Sequence, residues 1–134
     1  MACIETFATL RIFSKEIHPD EISKLLDVSP TKIIPIDLES KYKKRREFHL
    51  WAFSTKELLK SVDNLEHIQL IFKKIQSKSD QLNMLREEGC DTDIFCFWNS
   101  SGQGGPIASI ELMKNAVELG LGITWDIYFD DENT

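Results

Sequence analysis

The feature that most constrains the fold is a β-α-β pattern that occurs twice, once near each end of the chain. Apolar residues alternate along the strands and recur at helical spacing between them. The predicted elements are a strand at 7–13, a helix at 19–28, a strand at 47–53, a strand at 93–98, a helix at 107–119 and a strand at 122–129. Two such units in one sheet predict an α+β fold with a ferredoxin-like arrangement and right-handed crossovers.

The middle of the chain adds a helical insertion between the two middle strands. Asp63 and Asn64 can cap a helix whose apolar stripe runs from Leu65 to Ile75, and 81–88 predicts a second short helix that ends at Gly89. At 134 residues the chain has the size of a single domain, 1–134. We expect the insertion, residues 55–89, to cover the second face of the sheet, because large exposed apolar patches are uncommon.

Proline and the apolar pattern set further local expectations. Ser29-Pro30 ends the first helix, because a residue before proline avoids helical geometry. Residues 32–36 predict a short edge strand that contains Pro35, and the polar segment 37–46 predicts a loop. The buried face of the last helix is predicted to consist of four residues, Leu112, Met113, Ala116 and Val117.

Charge excludes several classes of partner. The formal net charge is −6, with 22 acidic and 16 basic residues, which argues against general affinity for nucleic acid or an anionic membrane surface. No apolar run is long enough to span a bilayer, and the first residues lack the segments of a secretory signal. We therefore expect a cytoplasmic protein.

Cysteine usage agrees with a reducing compartment. Cys3, Cys90 and Cys96 are odd in number, and their spacings match no zinc pattern. Cys96 lies within an apolar strand, where a cysteine is typically a small core residue. We expect neither disulfides nor a structural metal.

Two segments are candidates for anion binding. Five positive charges fall within six residues, at Lys41, Lys43, Lys44, Arg45 and Arg46. This pattern suits phosphate, an RNA backbone or an acidic partner, but it is also typical of a solvated loop. The loop 100–105 contains Gly102, Gly104 and Gly105 between a strand and a helix, where backbone N–H groups can hold an anion. It matches no P-loop or dinucleotide fingerprint, so a plain connection is the simpler interpretation.

Aromatic residues are concentrated on the predicted strands. Because side chains alternate, about half of them belong to each face. An uncovered face could bind a partner, stack on bases or form a homodimer through the sheet face, although the ribonucleoprotein motif is absent. The residues are Phe48, Trp51, Phe53, Phe95, Phe97, Trp98, Trp125 and Phe129.

No catalytic or metal signature is present in the sequence. His18 and Glu21 are three residues apart, but no further ligand is evident, and a role at the helix start is the better interpretation. No serine or cysteine stands beside a base in a recognisable motif. We expect neither an enzyme nor a bound cofactor.

The chain resembles a family of small bacterial proteins grouped as domain of unknown function 4279. The resemblance covers nearly the whole chain and includes the helix start Pro19-Asp20-Glu21-Ile22, the strand with Trp51 and the helix start Leu65-Glu66-His67. It implies an α+β protein without an assigned activity, so it transfers no catalytic residue. The matching segments are ATLRIFS, HPDEISKLLDVSP, HLWAFST, DNLEHIQLIFKKI and DIFCFWNSSGQGGPIASIELMKNAVELGLGITWDIYF.

Two functional hypotheses follow. The first is a non-enzymatic protein-binding module that masks a basic partner protein, as a toxin-neutralising immunity protein does. Its binding residues would be Asp126, Asp130, Asp131 and Glu132. The alternative is a sensor of a small anion or nucleotide that uses the glycine loop, helped by Lys43–Arg46 if that segment reaches it.

Overall fold

The computed structural model describes residues 3–130, and this part of the chain forms one five-stranded sheet and five helices. The α+β class is confirmed. In chain order the elements are β1 Cys3–Ser14, α1 Pro19–Leu26, β2 Lys32–Ile34, α2 Lys43–Glu47, β3 His49–Ser54, α3 Asn64–Ile75, α4 Ser79–Glu87, β4 Asp91–Ser100, α5 Ile110–Leu119 and β5 Gly122–Phe129.

The strand order differs from a ferredoxin-like duplication. The order is β2-β3-β1-β4-β5, with β4 and β5 parallel and every other neighbouring pair antiparallel. The first β-α-β unit is therefore completed by Lys32–Ile34, which runs parallel to β1, and not by the strand predicted at 47–53. The reason is local: the chain leaves α1, passes Pro30 and enters β2 at once, and β3 then returns between β2 and β1.

Side-chain caps mark the starts of three helices. His18 caps α1, since its Nδ1 accepts a hydrogen bond from the Asp20 N–H at 3.1 Å. Asp63 caps α3 and Ser109 caps α5 in the same way. The prediction of a loop over 37–46 is wrong in its last part, where Lys43–Glu47 forms the short helix α2.

All four longer helices pack on one face of the sheet. The core joins Leu10 and Ile94 from the strands to Leu26, Ile71 and Leu112 from the helices. The expectation that residues 55–89 cover the second face is therefore wrong. The stripes of α3 and α4 complete the same core as α1 and α5, because that face presents the fully apolar side chains of the central strands.

The predicted buried face of α5 is correct for two residues and wrong for two. Leu112 and Ala116 are buried, whereas Met113 and Val117 are exposed. The reason is that α5 is the outermost helix and contacts α3 and α4 on one flank only.

Asn64 links three parts of the core. Its Nδ2 donates to Thr6 Oγ1 on β1 at 2.9 Å, and its Oδ1 accepts from Trp125 Nε1 on β5 at 2.8 Å. Asn64 is buried, so these bonds satisfy polar groups that water cannot reach. They tie the start of α3 to the central strand and to the outer strand β5.

The three cysteines are free and buried. Cys96 has no exposed surface, as predicted for a core residue, and burial raises the pKa of its thiol to about 12. Among residues 3–130, no helix has the length and apolar character that crossing a membrane requires.

Candidate functional site

The sheet face opposite the four longer helices is the candidate functional site, and we call it the open face. Its side chains alternate with those of the core. The open face consists of Phe7, Thr9, Arg11 and Phe13 on β1, Lys32 and Ile34 on β2, Leu50, Ala52 and Ser54 on β3, Asp93, Phe95, Phe97 and Asn99 on β4, and Thr124, Asp126 and Tyr128 on β5.

Three aromatic rings form a row across the open face. Phe7 stacks on Phe97 with ring centroids 5.1 Å apart, and Phe97 contacts Tyr128 at 5.5 Å. The row crosses β1, β4 and β5. Phe7 and Phe97 are half-buried and Tyr128 is exposed, so the row offers apolar and π surface to a partner.

A charged pair occupies the centre of the open face. Arg11 donates to Asp93 through Nε and Nη2, and its guanidinium lies 4.3 Å from the Phe95 ring centroid and 5.3 Å from that of Phe13. The planar guanidinium can bond a carboxylate and stack on a ring at once. The pair thus satisfies its own charges, and only its rim faces solvent.

The helix α2 places positive charge at one end of the open face. Lys44 Nζ donates to Asp91 at 3.1 Å and lies 4.2 Å from the Phe13 ring centroid. Arg46 donates to the backbone carbonyl of Ser40 at 2.9 Å. Two members of the basic run are therefore engaged with the protein itself, and the segment is neither the loop nor the fully solvated run that the sequence predicted.

The opposite end of the open face is rich in hydrogen-bond acceptors. The Tyr128 hydroxyl donates to Asp126 Oδ2 at 2.9 Å, and this bond together with the carboxylate charge raises the pKa of Tyr128. Asn99 Nδ2 donates to Asp130 Oδ2 at 3.0 Å, while the buried Asn99 Oδ1 has no hydrogen-bond partner among residues 3–130. We call Asp126, Asn99 and Asp130 the acceptor cluster.

Two of the four predicted acidic residues lie in the part of the chain that the structure describes. Asp126 and Asp130 lie on β5 and directly after it, next to the aromatic row. The other two predicted residues, Asp131 and Glu132, lie outside the described residues. The predicted acidic site is thus attached to a surface that the sequence did not assign to it.

The glycine loop and the basic helix are not brought together. Lys44 lies beside Asp91, where β4 begins, and Gly102, Gly104 and Gly105 follow Ser100, where β4 ends. Ten strand residues separate the two segments by about 30 Å. The loop instead borders a cavity of about 420 Å³ on the helical side, with Asn64 and Trp98.

Residues 4–130 match the model of one family, described as Domain of unknown function (DUF4279). The chain belongs to this family. No curated protein and no solved structure gave a significant match. The description of this family states no reaction and no ligand.

Sequence reasoning missed several members of the open face. The alternation in FATLRIF already sets Phe7, Arg11 and Phe13 on one side of β1, but nothing local says that this side is uncovered. Conversely, Trp51 and Trp98 of the predicted aromatic set face the helices and are buried. Within residues 3–130 of this DUF4279 domain, no group of three His, Cys, Asp or Glu residues could hold a metal ion.

Proposed function

We propose that this protein is a non-enzymatic, cytoplasmic protein-binding module whose docking surface is the open face. The single observation that carries the proposal is the row of Phe7, Phe97 and Tyr128, which is accessible and ends at the acceptor cluster. Stacked aromatic side chains with a polar rim are the typical anatomy of protein interfaces.

The acceptor cluster defines the chemistry of the partner. The two carboxylates, those of Asp126 and Asp130, suit an arginine or lysine side chain. The adjacent Tyr128 and Phe97 rings add a cation–π contribution to the same contact. A basic partner would also be attracted over a longer range by the net charge of −6.

Binding of this kind acts by masking. A small acidic domain that covers a basic surface blocks whatever that surface does, which is how a toxin-neutralising immunity protein works. Three free buried cysteines are in keeping with a reducing compartment. The proposal needs no catalytic group in this chain.

The test is affinity capture from the native host's lysate with tagged protein, read by mass spectrometry at low and moderate salt. Asp126→Asn with Asp130→Asn removes two charges from the acceptor cluster, and Phe97→Thr shortens the aromatic row. The matched control is Glu111→Gln with Glu118→Gln, which removes two charges from exposed positions on α5.

We expect the wild type and the Glu111→Gln/Glu118→Gln control to capture the same basic protein from the lysate. Loss of the two carboxylates should weaken its binding at least about tenfold, the effect of removing partners from a charge-assisted contact. Higher salt should weaken it as well. The proposal is overturned if every captured protein is retained equally by the acceptor-cluster variant, the Phe97 variant and the control.

A further inference from the structure

A second surface, separate from the open face, exposes apolar side chains at the edge of the molecule. On α5, Ile110 is 83% exposed, Val117 is 79% exposed and Met113 is also exposed. On the adjacent strand β5, Ile127 is 42% exposed and Phe129 is 60% exposed. We call these five residues the edge patch.

The two halves of the edge patch lie on the same side of the molecule. The other flank of α5 faces α3 and α4, where Asn115 and Glu118 border a cavity with Phe72 and the Glu118 carbonyl accepts from Ser79 Oγ at 3.2 Å. The flank with Met113 therefore points away from the other helices. Ile127 and Phe129 belong to the helical face of β5, and β5 is the strand that α5 contacts.

The backbone of β5 adds hydrogen-bonding groups to the edge patch. β5 is the last strand of the sheet order on its side, and its eight residues include neither proline nor a basic residue. The opposite edge strand, β2, is only three residues long, contains Lys32 and is followed by Pro35. A short strand, a lysine or a proline protects a sheet edge from pairing with another strand. The β2 edge is therefore protected, and the β5 edge is not.

We propose that the edge patch is a twofold-symmetric interface with a second copy of this chain. Each exposed side chain of the patch offers on the order of 100 Å², so the five give roughly 500 Å², and the backbone edge brings the surface near the ~800 Å² per partner of a standard interface. Twofold pairing suits this surface, because two β5 strands can pair antiparallel and the same rotation sets α5 beside its copy.

Charge selects the register of such a pair. The patch itself is uncharged, so two chains with a net charge of −6 do not place like charges within it. Asp126 is the one charged residue of β5 and points to the open face. A register centred on Ile127 sets Asp126 opposite Tyr128 of the copy, whereas a register centred on Asp126 would oppose two carboxylates and is disfavoured.

The experiment measures molar mass by light scattering coupled to size exclusion, from micromolar to hundreds of micromolar protein. Val117→Lys introduces a charge into the edge patch at a position that is 79% exposed, so folding is not at risk. Leu38→Lys is the matched control, because Leu38 has the same exposed fraction and lies in the loop before α2. Phe97→Thr tests the open face in parallel.

We expect wild type, Leu38→Lys and Phe97→Thr to reach twice the monomer mass of 15.5 kDa. Val117→Lys should raise the dissociation constant of the dimer at least about tenfold, as for loss of a central interface contact. Amide hydrogen exchange of β5 should slow as the wild type dimerises. A wild type that is monomeric throughout overturns the proposal, as does a dimer that Phe97→Thr disrupts and Val117→Lys does not.

Discussion

Arg11 and Asp93 face each other across β1 and β4 and form two parallel hydrogen bonds, Nε to Oδ1 at 2.9 Å and Nη2 to Oδ2 at 2.6 Å. A bidentate pair of this kind fixes the orientation of both side chains. It also interrupts what would otherwise be a continuous apolar surface between Phe13, Phe95 and Phe97. A smaller continuous apolar area lowers the tendency of an exposed face to aggregate.

The Arg11–Asp93 pair should show measurable coupling. In a double-mutant cycle with Arg11→Met and Asp93→Asn, we expect an interaction free energy of about 1 kcal/mol, because the pair is bidentate and partly shielded. The measurement is urea unfolding of the wild type, both single variants and the double variant. The control cycle uses Lys44→Met and Asp91→Asn, a more exposed single-bonded pair expected to give less than about 0.5 kcal/mol. Equal coupling in both cycles would contradict the prediction.

A buried histidine depends on one hydroxyl group. His67 Nε2 lies 2.8 Å from the Ser61 carbonyl, which can only accept, so Nε2 carries the proton and Nδ1 accepts from Thr55 Oγ1 at 2.6 Å. Thr55 Oγ1 in turn accepts from the Ala8 N–H at 3.0 Å. Both Thr55 and His67 are fully buried.

Thr55→Val should therefore be strongly destabilising although it preserves the shape of the side chain. It leaves Nδ1 of His67 and the N–H of Ala8 without partners, and we expect the free energy of unfolding to fall by about 2–3 kcal/mol. Chemical denaturation gives this value directly. Thr124→Val is the control on an exposed strand position, with an expected change within about 0.5 kcal/mol. A loss at Thr55 no larger than at Thr124 would show that the network is not needed.

Cys96 should make the protein less stable at alkaline pH. Burial raises the pKa of the thiol from 9.0 to about 12 in the folded state. Below pH 9 both states hold the proton; between about 9 and 12 the unfolded state loses it and the folded state does not. The unfolded state then binds fewer protons, so stability falls as pH rises, by at most about 1.4 kcal/mol per pH unit.

Cys96→Ala removes this contribution. We expect its free energy of unfolding to decline less steeply than that of the wild type from pH 9 upwards, measured by urea unfolding at a series of pH values. Cys90→Ala is the control: the pKa of Cys90 is also raised, chiefly by burial, but that residue keeps some exposed surface, so its effect on the slope should be smaller. Parallel pH profiles for the wild type and Cys96→Ala would refute the assignment.

Local structure was largely predictable from the sequence. The helix starts at His18 and Asp63 and the edge position of β2 follow from signals within a few residues. Alternation also predicted correctly that Asp126 lies on the opposite face of its strand from Trp125 and Ile127. Such features depend on backbone hydrogen bonds and side-chain periodicity, which act between residues close in sequence.

The candidate site was predictable only in part. Alternation identifies Phe97 and Asp126 as open-face residues, yet Arg11 and Asp93 are 82 residues apart and meet only through the register of β1 and β4. Helical periodicity likewise predicted that Met113 is buried, whereas it is exposed. Periodicity identifies the apolar side of a helix but does not show whether another element covers it.

The sequence by itself determined the class of the fold, most of its elements and the family. Tertiary structure alone decided that β2 completes the first unit, that all four longer helices share one face, and that the aromatic row therefore stays open. The physical reason is that each face of the sheet carries enough apolar side chains to form a core. The helices pack on the face where they bury the most apolar surface, and that total depends on contacts between residues distant in sequence.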